Sequence, residues 1–301
     1  MSLKTVIIIT GPTASGKTDL AIETAMHFNT SIISADSRQC FRELNIGVAK
    51  PVSQQLEQVH HDFINSHSVR ENVNAAIFET LAKQWCEEIF SSRDVVVMAG
   101  GTGLYIKAFR DGLDEIPLVD EKIRKEILAN YSSLGIDWLK ESIRVSDPQF
   151  YASGETANPQ RMMRALEVMQ STGRSILVYR RQQKKQNPFR VMEFGIRIPR
   201  KELYQRIDQR VDTMMEAGLL NEVSSLIPYQ HLNALQTVGY KELFDHLNGR
   251  MKLDESISLI KQNTKHYAKR QTTWLKKNEN LVWLENDFAN RVRSAYAAVK
   301  T

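Results

Sequence analysis

The chain begins its ordered pattern with TVIIIT (5–10), an apolar run closed by Gly11 and Pro12. A run of this length between turn residues predicts a strand buried on both faces. Leu20, Ala21, Thr24, Ala25 and Phe28 then recur at helical spacing, which predicts a helix over about 16–28. SIISAD (31–36) reads as a second short strand. Ile77, Leu81, Trp85 and Ile89 stand four apart, so a helix is expected near 73–91. DVVVMAGG (94–101) is a third buried strand ending in glycines. Strands that alternate with helices in this way predict a parallel sheet with right-handed crossovers. Ligands of such sheets sit beyond the carboxyl ends of the strands, where Gly11–Thr18, Asp36 and Gly100–Thr102 all fall.

The pattern changes after about residue 112. Residues 113–187 are charged and helical in texture, with NPQRMMRALEVMQSTG the clearest helix and Gly173 its expected C-cap. YRRQQKKQNP (179–188) is polar and basic, as a connector would be. RVMEFGIRI (190–198) alternates, which predicts a strand returning to the sheet. A long helix over about 200–217 follows, with Leu203, Ile207, Val211 and Met214 inward, then a basic helix over roughly 254–277 and a last short strand in LVWLE (281–285). The expected organisation is a core of 1–112 plus 188–301, interrupted by a helical insertion at 113–187.

Composition adds little to this picture. The chain has 301 residues, 42% hydrophobic and 25% charged, with a formal net charge of +5. That balance is globular and permits an anionic partner without requiring one. Cys40 and Cys86 are too few for a disulfide framework, and a reducing compartment fits them best. No apolar run approaches the length of a membrane span, and the opening residues lack the form of a signal peptide.

The candidate chemistry starts at GPTASGKT, Gly11, Pro12, Thr13, Ala14, Ser15, Gly16, Lys17 and Thr18. It matches GxxxxGK[ST] with a predicted strand before it and a helix after it. The fold class expected is therefore α/β: a P-loop NTPase-like parallel sheet flanked by helices, with a helical insertion domain. Successive backbone N–H groups and the helix N-terminus favour an anion there. Lys17 adds a full charge, and the Thr18 hydroxyl is a candidate Mg²⁺ ligand. A nucleotide hydrolase would usually add a strand ending in a carboxylate that helps hold the metal. The third strand ends in Ala99, Gly100 and Gly101, which argues against a motor or switch ATPase and leaves a small-molecule kinase open.

Asp36, in SADSRQ, stands beyond the second strand within reach of the loop, as a general base, an outer-sphere metal partner or a simple turn aspartate. AGGTGLY (99–105) offers backbone for close approach and the Thr102 hydroxyl, or glycines that serve only a tight strand-to-helix turn. Arg206 with Arg210, and Arg161 with Arg164, read by default as solvated helix faces, and His60 and His61 as structural histidines. Lys261, Lys265 and Lys269 repeat at four-residue spacing near Arg270, Lys276 and Lys277, with no interleaved Glu. Such a stripe reads either as the solvated face of an amphipathic helix or, being of one sign, as a surface for a polyanion. Its opposite, inner face is Ile260, Tyr267 or Ala268, Gln271 and Leu275.

Together these pieces resemble the tRNA dimethylallyltransferases, also called tRNA isopentenyltransferases. The resemblance rests on GPTASGKT, ISADSRQ (33–39), IGVAKP (46–51), GGTGLY, NPQRMMRALEV (158–168), VGYKEL (238–243) and YAKRQTTW (267–274), in the family's order along nearly the whole chain. Val48 stands where the family usually has threonine, Phe41 where tyrosine is common, and Asn158 in place of an aspartate. The resemblance implies transfer of a dimethylallyl group from dimethylallyl diphosphate to the exocyclic amine of the adenosine 3′-adjacent to the anticodon. The glycine loop would then hold a leaving group, with Mg²⁺ at Thr18. By the same resemblance, Lys17, Thr18 and Arg210 would stabilise the departing diphosphate, and Asp36 would accept the amine proton. Ser37, Arg38 and Gln39 would meet the flipped nucleotide. Thr102 and Arg124 would touch tRNA, and Gln160, Arg161, Met162, Met163 and Arg164 would grip the anticodon stem-loop from the insert. Lys269 and Arg270 would meet its backbone. A cytoplasmic enzyme acting as a monomer is expected, with ATP binding to the loop left open. The competing readings are a P-loop kinase, a prenyltransferase of free adenine nucleotides, and a non-catalytic RNA-binding protein.

Overall fold

The computed structural model describes residues 3–180, 185–284 and 288–300. Its chain divides into two compact units, Met1–Arg110 with Gln186–Thr301, and Asp111–Lys185.

The first unit is built on a six-stranded sheet in the order β3-β2-β4-β1-β5-β6. The strands are β1 (Thr5–Thr10), β2 (Ile32–Ala35), β3 (His61–Asp62), β4 (Val95–Gly100), β5 (Arg190–Ile196) and β6 (Val282–Leu284), and every pairing is parallel. Every residue of β1 is buried, because it sits between β4 and β5 with helices on both faces. Its register pairs Ile8 with Met98 and with Glu193, so the ends of β1 and β4 come level at Thr10 and Gly100. The apolar runs expected as strands are these strands. The edge strand β3 carries only two residues, and no periodicity can mark so short an element. The helix Lys17–Phe28 packs its Leu20, Ala21 and Ala25 against Ile7, Ile32 and Val97 of the sheet.

β2 and β4 approach so closely that glycine is required at the carboxyl end of β4. A Cβ on Gly100 would stand 2.2 Å from the Ala35 carbonyl oxygen. This is why DVVVMAGG ends as it does.

The second unit is helical and has its own core of Ile127, Leu139, Ile143, Phe150, Met162 and Leu166. Its longest helix, Glu121–Ser146, breaks at Gly135, whose φ of 75° lies in the left-handed region. The helix Pro159–Thr172 starts at Asn158, whose Oδ1 accepts from the N–H groups of Gln160 and Arg161 at 3.0 and 3.3 Å. Asparagine therefore caps here as an aspartate would. Gly173 ends the helix with a φ of 69°, as its position predicts.

Candidate active site

The glycine loop leaves β1 and enters the helix Lys17–Phe28, with Gly16 left-handed at a φ of 86° just before the helix starts. Pro12, Ala14 and Ser15 are buried, so what the loop offers a ligand is its N–H groups, Lys17 and Thr18. The Lys17 ammonium donates to the Pro12 carbonyl at 2.8 Å, folding the side chain back over the loop. Burial lowers its pKa to about 8, against the pull of Asp36 and with a further push from Arg210. A doubly charged anion in the cradle would favour the charged form and raise the pKa again.

Asp36 does two things at once. Its Oδ1 accepts from the N–H groups of Arg38 and Gln39 at 2.9 and 3.3 Å, as a simple turn aspartate does. The carboxylate also lines a cavity of about 120 Å³ with Lys17, Thr18 and Arg210. Both capping bonds fall on Oδ1.

Arg206 and Arg210 part company. Arg206 is exposed and pairs with Glu202 at 2.6 Å. Arg210, one turn on, is half-buried and lines the same cavity as Lys17 and Asp36. Burial works against its charge and the Asp19 carboxylate supports it. The solvated-face reading holds for the first arginine and fails for the second.

Thr102 opens the turn after β4. Its Oγ1 accepts from the Ser37 N–H at 3.0 Å and donates to the Ser37 hydroxyl at 3.3 Å. The turns after β2 and β4 are thus joined, and the Thr102 hydroxyl is occupied inside the protein. Gln39 is similarly engaged. Its Nε2 donates to the carbonyls of Val48 and Ala49, and its Oε1 accepts from the Ser34 hydroxyl. Both residues shape the site from within. Ser37 and Arg38 remain on the wall of the adjoining pocket with Tyr267 and Arg270.

The segment IGVAKP is held over the site by a carboxylate. Glu222 accepts from the N–H groups of Asn45, Ile46 and Gly47 at 3.1, 2.8 and 3.1 Å, and from the Tyr240 hydroxyl at 2.6 Å. A Cβ on Gly47 would meet the Tyr240 ring at 2.5 Å, so IGVAKP and VGYKEL fit together. Val48 and Ala49 reach the cavity wall. Phe41 is 3% exposed, which places it in the core.

The basic helix Leu253–Leu275 corrects the expected stripe. Lys261 pairs with Asp212 at 2.6 Å and Lys265 with Asp208 at 2.7 Å, both acids on the helix Arg200–Glu216. Those two lysines are neutralised by a neighbouring helix. Lys269 and Arg270 are exposed and line a separate groove with His266, Trp274 and Lys277. The inner residue of the Tyr267 or Ala268 pair is Ala268, fully buried. Tyr267 is 37% exposed and lines the cavity, where burial and then Asp36 raise its pKa to about 12. Sequence reasoning missed Tyr267 as a site residue. It placed Gln271 on the inner face, but the amide is a cavity wall too; the signal was a polar residue in an apolar stripe.

In the insert, Gln160 and Arg161 are exposed at the start of the helix Pro159–Thr172, and Arg164 is half-buried. Met162 and Met163 are 0% and 3% exposed, so their side chains belong to the insert's core. Arg124 and Arg164 both pair with the buried Glu167, at 3.9 and 3.1 Å.

Among the described residues no group of three or more His, Cys, Asp or Glu is placed to hold a metal. Thr18 and Asp36 in one cavity fit an ion bound mainly through phosphate oxygens and water.

Fold and site together define an α/β enzyme of the P-loop type, with an acid and an arginine facing the anion cradle. A family model described as IPP transferase matches residues 39–278. The chain is 43% identical over 281 residues to tRNA dimethylallyltransferase 1 of Bacteroides thetaiotaomicron, covering 93% of this chain and 91% of the relative. It is 42% identical over 280 residues to the tRNA dimethylallyltransferase of Cytophaga hutchinsonii, covering 93% and 92%. Among solved structures, the tRNA isopentenylpyrophosphate transferase of Bacillus halodurans superposes with a TM-score of 0.72 at 33% identity, covering 99% of this chain and 96% of that one. A eukaryotic dimethylallyltransferase described as acting on tRNA gives a TM-score of 0.76 at 26% identity, covering 98% and 78%. The chain belongs to the IPP transferase family.

Proposed function

We propose that this protein transfers a dimethylallyl group from dimethylallyl diphosphate to the exocyclic amine of the adenosine 3′-adjacent to the anticodon in tRNA. The observation that carries the reading is one cavity lined by Lys17, Thr18, Arg210 and Asp36 together. The end of β4 carries Gly100 in place of an acid, which counts against a nucleotide-hydrolysing site.

The physical steps follow from that arrangement. Breaking the carbon–oxygen bond moves negative charge onto the diphosphate. The loop N–H groups, Lys17 and Arg210 meet that charge in a half-buried setting, where fixed donors act most strongly. Mg²⁺, held by Thr18 with Asp36 nearby, would supply further charge neutralisation. The adenine amine is a weak nucleophile because its lone pair is delocalised into the ring. Asp36 orients it and accepts its proton as the new carbon–nitrogen bond forms. A base stacked in an anticodon loop must turn out to reach a cavity of this kind. Ser37 and Arg38 would receive the nucleotide, with Thr102 and Gln39 bracing them. Lys269 and Arg270, and Arg124, Gln160, Arg161 and Arg164 of the insert, would contact the RNA backbone. No helix among the described residues is long and apolar enough to cross a membrane. The reading implies the cytoplasm, and a monomer that supplies every reacting group itself.

Incubation with labelled dimethylallyl diphosphate and unmodified tRNA tests the reading. Label should appear in tRNA with release of pyrophosphate. Label on free AMP, ADP or ATP in preference to tRNA would defeat it.

A further inference from the structure

Two turns that would carry opposite halves of the reaction are bridged by one side chain from a third element. Gln271, on the helix Leu253–Leu275, is 8% exposed between the buried Ala268 and Leu275. Its Oε1 accepts from the backbone N–H of Thr13, in the glycine loop, at 2.8 Å. Its Nε2 donates to the carbonyl of Gly101, after β4, at 2.9 Å. The approach on that side is close: a Cβ on Gly101 would lie 2.3 Å from Nε2. From Gly101 the connection continues through Thr102, whose N–H donates to the Ala35 carbonyl at 3.2 Å and whose hydroxyl holds the Ser37 N–H. Asp36 stands between those two residues.

A position flanked by buried apolar residues would accept Leu or Met on packing grounds alone. A buried amide with both ends paired specifies geometry instead, since each unpaired group would carry a desolvation cost. We propose that Gln271 is a positioning residue that sets the separation between the diphosphate cradle and the Asp36 turn. The amide touches neither reacting atom. It fixes how far the prenyl carbon stands from the acceptor amine, a distance on which rate depends steeply. The inference rests on the prenyl-transfer reading above.

Two variants disturb the bridge by independent routes. Gln271→Met keeps nearly the same volume and loses both hydrogen bonds. Gly101→Ala leaves the glutamine in place and displaces its amide. Each is measured for amide hydrogen exchange across residues 11–18, for inorganic pyrophosphate affinity, and for kcat and KM. Both variants should accelerate loop exchange and lower kcat by roughly tenfold or more, with KM for tRNA changed by less than about twofold. Because they strike one contact, the double variant should lose little beyond the worse single. Unchanged loop exchange with kcat near wild type in Gln271→Met would overturn the proposal, as would full additivity of the two losses. If wild-type protein prenylates no tRNA, the functional reading fails. Loop exchange and pyrophosphate affinity then still decide whether Gln271 sets the cradle.

Discussion

At the scale of the residue, Asp36 shows why substitution chemistry has to be chosen with care. Asp36→Ala removes the proton acceptor and also the cap on Arg38 and Gln39. Asp36→Asn keeps an Oδ1 that caps the turn and removes only the basicity. Asp36→Asn should therefore lower kcat by about 10²- to 10⁴-fold while tRNA affinity stays near wild type. Single-turnover rates and filter-binding constants on the same preparation check this. Near-normal turnover would remove Asp36 from the proton step. Lys17 makes a pH prediction of opposite sign to an acid's. Its pKa of about 8 means that the ligand-free loop carries the full charge below that pH and loses it above. Affinity for a non-reactive donor analogue should fall as pH rises from 7 to 9. Binding at pH 8 should take up a fraction of a proton, measurable by calorimetry in buffers of different ionisation enthalpy. Lys17→Arg should flatten the pH dependence; a flat wild-type profile would contradict the assignment.

At the scale of the element, the helix Leu253–Leu275 separates what sequence spacing could and could not reveal. Its amphipathic period and basic face are local properties, and both are legible in the sequence. The neutralisation of Lys265 by Asp208 joins residues 57 positions apart and depends on how two helices pack. No local pattern contains it. The one-residue ambiguity between Tyr267 and Ala268 has the same origin, since a helix period of 3.6 leaves adjacent residues nearly equivalent until a neighbour is placed. The consequence is testable by salt dependence. Each lysine or arginine that neutralises an RNA phosphate contributes about 0.7 to the slope of log affinity against log salt on a single strand. Lys269→Ala with Arg270→Ala should reduce the slope by roughly 1 to 1.5. Lys261→Ala with Lys265→Ala should leave it almost unchanged, because those charges are already paired. A larger slope change from the second pair would reverse the assignment of the two ends of the helix.

At the scale of the whole molecule, the chain comprises two units that bury separate cores. The sheet unit was readable because buried parallel strands are continuous apolar runs, as in TVIIIT and VVVMAG. The insert was readable only as helical. Its contents were not, because Met162 and Arg161 are neighbours in one motif yet the first is core and the second surface. That division also predicts separable failure. Leu139 is fully buried in the insert core, so Leu139→Ala should cost about 2–5 kcal/mol, and the cost should fall on that unit. Hydrogen exchange should quicken across the helices Glu121–Ser146 and Pro159–Thr172 while β1 and β4 stay protected. Arg124 and Arg164 converge on Glu167 only while that unit is folded, so tRNA affinity should drop with it. Pyrophosphate affinity, which depends on the loop after β1, should hold. A parallel loss of both affinities would mean that the two units do not unfold independently and that the insert's core also supports the anion cradle.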